Sequence, residues 1–172
     1  MLEFTVIVDC KNVNVNMVAQ QDVTDNDVID TIIKQQHIPK QSDQFCLITR
    51  DYLLVGRGDL TIQSYAEWAQ NEGVGRIEFI MVSLHPQEDN FMAINWQERA
   101  LYFFITYNEV PLGWLLRRAL SIMGCVNVEE VMTKQEGSCR AIVSGERELA
   151  DIEIEGGLPI SFYYAPLCIF LV

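Results

Sequence analysis

The sequence predicts an α+β fold arranged as two small abutting units of related architecture. Three observations carry this expectation. Apolar residues alternate with period two in several short runs, the pattern of strands with a buried face. Two runs, after Thr24 and after Pro111, have the spacing and end signals of amphipathic helices. The order hairpin, helix, strand, short strand, closing strand then occurs twice, on either side of the polar stretch His85–Asn90, which sets units at residues 1–85 and 86–172.

Each element has a local reason. Leu2 to Val8 alternate β-formers, and Val13, Val15 and Met17 continue with period two after the Lys11-Asn12 turn, which makes an N-terminal hairpin. Thr24 is a helix N-cap, Asp27 completes a weaker variant of the capping box, and Val23 and Val28 occupy the positions of a hydrophobic staple. Asp22, Asp25, Asp27 and Asp30 suit the positive end of the helix dipole. Val28, Ile29, Ile32 and Ile33 form one stripe, and Pro39 stops the helix. Phe45 to Thr49 reads as a strand, Asp51 to Leu54 as its short partner, Leu60 to Gln70 as a turn with room for a short helix, and Ile77 to Leu84 as the closing strand.

Beyond residue 90 the order recurs. Phe91 to Trp96 and Leu101 to Tyr107 form a hairpin; Pro111 opens a helix and Gly124 closes it. Val128 to Met132 is a short extra helix, Cys139 to Ser144 a strand, Glu146 to Leu149 a turn and short strand, and Pro159 to Ala165 the closing strand. The rival arrangement is a single 172-residue α+β domain with one sheet. Two small cores bury a smaller share of their surface than one large core does, so the two units are expected to touch.

The first half, from the helix through Ile38-Pro39, FCLIT, DYLL, the stretch Asp59-Leu60-Thr61-Ile62 and the strand IEFIMV, resembles the ubiquitin-like β-grasp fold. The stretch RAIVSGERELADIEIEGGLPISFYY resembles the second half of another such domain. The resemblance lies in pattern and spacing and implies two tandem ubiquitin-like domains packed against each other. It also implies partner binding through the outer face of the sheet, with Leu47 and Ile80 at the corresponding patch. A conjugated modifier of this kind ends in a flexible Gly-Gly tail. Here Gly156-Gly157 precedes the predicted last strand, so cleavage there would remove a core strand.

Composition narrows the function. The chain is 49% hydrophobic, which excludes a disordered acidic tail, and its net charge of −12 opposes contact with phosphate. Nucleic acid and anionic membrane surfaces are therefore not expected partners. Each half carries 12 acidic and six basic residues, so the acidity is a solubilising surface spread over both units. It also weakens binding to Ras-type GTPases, which the resemblance would otherwise favour. No apolar run has the ~18 residues of a membrane span, and the start MLEFTVIVDC lacks signal-peptide features, which predicts a cytoplasmic protein. The five cysteines, Cys10, Cys46, Cys125, Cys139 and Cys168, form no CxxC pair and read as reduced, mostly buried thiols. His37 and His85 stand in no ligand-like spacing, and no nucleotide, metal or nucleophile motif is present. Neither catalytic residues nor a cofactor are expected.

Three features exceed what a core needs. At 100° per residue, Leu112, Leu115, Leu116, Ala119, Leu120 and Met123 share one side of the second helix, and Trp114, Arg117, Arg118 and Ser121 the other. An outward Trp beside two arginines is a candidate interface anchor, against the plainer alternative of packing on the first unit or under a loop. Both alternating sets in the strands at 45–49 and 77–84 are apolar, so the outer sheet face needs a cover, internal or external. The run Leu167-Cys168-Ile169-Phe170-Leu171-Val172 carries no charge and is expected to join a sheet edge or a groove, in this molecule or in a second copy. These features predict a non-enzymatic protein–protein interaction module, an adaptor or a subunit of a larger assembly. The alternatives are a ubiquitin-like modifier or mimic that engages ligases or proteases, and an accessory subunit of a multicomponent enzyme.

Overall fold

A computed structural model describes residues 1–85, 90–105, 111–135, 138–143, 149–155 and 167–172, with the strand residues 90, 105, 138–143, 149–151 and 167 described by backbone alone. The chain divides into two compact units, Met1–Pro86 and Gln87–Val172. The fold is α+β, with one mixed sheet in each unit.

In the first unit, β1 (Leu2–Val8) and β2 (Val13–Ala19) form the antiparallel hairpin, and β4 (Glu78–Ser83) runs parallel to β1. With β3 (Phe45–Thr49) the sheet order is β2-β1-β4-β3. Leu54 makes a single antiparallel bridge to Ile48, as expected for the short partner of β3. Helix α1 (Asp25–Gln35) begins at Thr24, whose hydroxyl accepts from the Asp27 N–H at 3.1 Å while the Asp27 carboxylate accepts from the Thr24 N–H at 3.1 Å. This reciprocal pair satisfies N–H groups that a helix start leaves open.

The stretch 60–70, expected as a turn with room for a short helix, holds the ten-residue helix α2 (Ile62–Asn71). Its reason is local. Thr61 and Ser64 cap each other's N–H groups at 2.9 and 3.0 Å, and Ile62, Tyr65, Ala66 and Ala69 fall on one helical face, all buried. Gly73, at φ +72°, ends the helix with bonds from its own N–H to Gln70 and from Val74 to Ala69. Tyr65 packs on Phe79 with ring centroids 5.6 Å apart, and Phe79 meets Phe4 edge-on at 5.4 Å. The core of this unit thus lies between the helices and the sheet face formed by Phe4, Val6, Val8, Leu47, Phe79 and Met81, which are all buried.

Near the start of α1, Gly56 adopts φ +84° and a Cβ there would overlap the Asp25 carboxyl group. Burial holds the Asp25 carboxyl above the usual aspartate range, only partly offset by bonds from the Asp25 and Asn26 N–H groups. The folded state therefore binds this proton more tightly than the unfolded chain does. Stability falls as pH rises from the unfolded value near 3.8 through the higher folded one, and the loss persists above it. Asp25→Asn is expected to raise the melting temperature at pH 7, with the difference closing below the unfolded pKa; thermal melts across pH check this.

In the second unit β5 (Asn90–Trp96) and β6 (Arg99–Ile105) form a hairpin, followed by α3 (Leu112–Ile122), α4 (Val128–Thr133), β7 (Ser138–Val143), β8 (Leu149–Glu153) and β9 (Leu167–Phe170). The sheet order is β6-β5-β9-β7-β8, with β9 parallel to β5 and antiparallel to β7. Helix α3 ends at Gly124, φ +85°, with Gly124 bonded to Ser121 and Cys125 to Leu120, and the Arg99 guanidinium donates to the Met123 carbonyl at 2.7 Å. The hairpin turn places Gln97 and Glu98 at φ 47° and 63°, which glycine and asparagine tolerate better. Replacing them together, Gln97→Asn with Glu98→Gly, is expected to stabilise the second unit by about 1 kcal/mol in denaturant titration.

The apolar C-terminal run corrects its expectation. It does join a sheet of its own unit, but as an interior strand rather than at an edge, Leu167–Phe170 being paired on both sides. Ile169 and Leu171 are buried while Phe170 and Val172 are exposed, so the run obeys the period-two rule of a half-covered sheet. The expected closing strand at 159–165 and the Gly156-Gly157 pair lie outside the described residues, as do the turn at 146–148 and the junction residues 86–89. Among the described residues, no helix is long and apolar enough to cross a membrane.

Candidate functional site

Helix α3 positions the expected anchor. Leu112, Leu115, Leu116, Ala119 and Leu120 are buried, and the Gly113 N–H donates to the Ile154 carbonyl at 2.8 Å. A Cβ on Gly113 would lie 3.1 Å from that carbonyl oxygen, so the first turn of α3 sits close against the segment that follows β8. Trp114 is consequently turned away from this contact and is 42% exposed.

The two arginines of α3 do different things. Arg117 donates to Glu129 at 2.8 Å and reaches Glu155 at 3.5 Å, tying α3 to the start of α4 and to the segment that follows β8. The bond to Glu129 chiefly, and the charges of Glu129 and Glu155, hold its guanidinium above the ordinary arginine range despite some desolvation. Its donors are engaged within the unit, so Arg117 orients the helix. Arg118 stacks on the indole, with its guanidinium carbon 5.5 Å from the Trp114 ring centroid. Trp114 and Arg118 therefore form one cation–π pair, with the indole open to solvent.

Leu47 and Ile80 are not brought together. Leu47 pairs with Met81 and shares the helix-covered face with it, whereas Ile80 pairs with Ile48 and lies on the opposite face. Leu47 is fully buried, so the expected joint patch is corrected to a face centred on Ile80. Directly paired antiparallel residues project to the same side, which decides the matter once the register is known. On that outer face Ile7, Ile80 and Val82 are half-buried, and Cys46 and Ile48 are buried. Toward β2 it becomes polar: the Thr5 hydroxyl donates to Asn16 at 2.9 Å and accepts from Arg76 at 2.8 Å.

A second apolar face was legible but missed. In β5 and β6, Phe91, Ala93, Tyr102 and Phe104 share the side opposite the buried Met92, Ile94, Leu101 and Phe103, and the Phe91 and Phe104 rings lie 5.5 Å apart. Phe170, 44% exposed, is on the same side by its pairing with Asn95. The signal was the doubly apolar alternation of β6, the same test that singled out β3 and β4.

The thiols are distributed differently from the expectation of mostly buried cysteines. Cys10 is exposed on the β1–β2 turn, Cys46 is buried, and Cys125 and Cys168 are half-buried, each outside any disulfide, while the Cys139 side chain lies outside the described residues. Among the described residues no group of three or more His, Cys, Asp or Glu side chains is placed to hold a metal ion. Compared with known proteins, the chain matches no family model and no curated sequence.

Proposed function

We propose that this chain is a non-enzymatic protein–protein interaction module, an adaptor or a subunit of a larger assembly, built from two ubiquitin-like β-grasp units. The topology supports the β-grasp reading. In each unit a hairpin leads into a helix, and the last strand enters the middle of the sheet parallel to the first, giving β2-β1-β4-β3 and β6-β5-β9-β7-β8. The Leu54 bridge beside β3 takes the place that β8 holds in the second unit.

The Trp114–Arg118 pair carries the interaction reading. A large indole, 42% exposed and braced by a stacked guanidinium on a helix whose other face is buried, offers apolar area at little entropic cost. The modifier reading gains no such support, since release after Gly157 would remove β9 from the centre of its sheet.

Trp114→Ala is expected to weaken partner binding by about 2 kcal/mol or more, roughly thirty-fold. Quantitative co-purification from native cells with the wild-type chain, Trp114→Ala and Arg118→Ala measures this. A Trp114→Ala protein with native circular dichroism that retains every partner at wild-type yield would remove the basis of the reading.

A further inference from the structure

We draw no further inference here: the strongest candidate, the apolar face that Phe91, Phe104 and Phe170 form on the sheet of the second unit, carries nothing because nothing in the structure shows what covers it.

Discussion

Phe79→Ala is expected to lower the stability of the first unit by about 3–5 kcal/mol, the cost of truncating a fully buried aromatic ring. Phe79 is 0% exposed on β4, the strand that joins β1 to β3, and it contacts both Phe4 and Tyr65. The truncation therefore removes packing from the sheet and from α2 together. Val82, on the other face of the same strand and only half-buried, provides the control. Val82→Ala is expected to cost about 1 kcal/mol or less. Urea denaturation followed by a probe confined to the first unit distinguishes the two; similar midpoints for both variants would mean that Phe79 does not hold the core together.

The second large effect lies in the C-terminal strand. Ile169→Asp is expected to destabilise the second unit by more than about 4 kcal/mol, because it buries a carboxylate with no cationic partner in the middle of a sheet. Ile169 is 0% exposed and pairs with Ile94 on one side and Ala141 on the other, so the change strikes the strand that links the two hairpins. One residue on, Phe170 is 44% exposed, and Phe170→Asp is expected to stay within about 1 kcal/mol of wild type. Hydrogen exchange at the β5 and β7 amides reports both. Equal protection in the two variants would contradict the interior placement of β9.

Local chemistry was legible where it acts over a few residues. The Thr24–Asp27 cap, the helix end at Gly124 and the Lys11-Asn12 turn are short-range, and each is found where its residues place it. Helix α2 was legible in Thr61, Ser64 and the spacing of Ile62, Tyr65, Ala66 and Ala69, though the sequence was read only as a turn with room for a short helix. The orientation of α3 was also readable from its helical period, since an 11-residue amphipathic helix has one choice of buried side. What could not be read there was the division of labour between the arginines. Arg117 and Arg118 are adjacent and chemically identical, and the carboxylates of Glu129 and Glu155, 12 and 38 residues away, make Arg117 a tie, while Arg118 stacks on the indole.

By itself the sequence determined the α+β class, the two hairpins, helices α1 and α3, the apolar excess and the even spread of negative charge. Periodicity, capping and composition are properties of neighbouring residues, and they survive without knowledge of the fold. The tertiary structure alone decided which strands are neighbours. It placed Leu47 and Ile80 on opposite faces, enclosed the C-terminal run between β5 and β7, and left β2 as an uncharged edge. Strand pairing joins residues far apart in the chain, and a shift of one residue exchanges the buried face for the exposed one, so register and partner are set by the whole core.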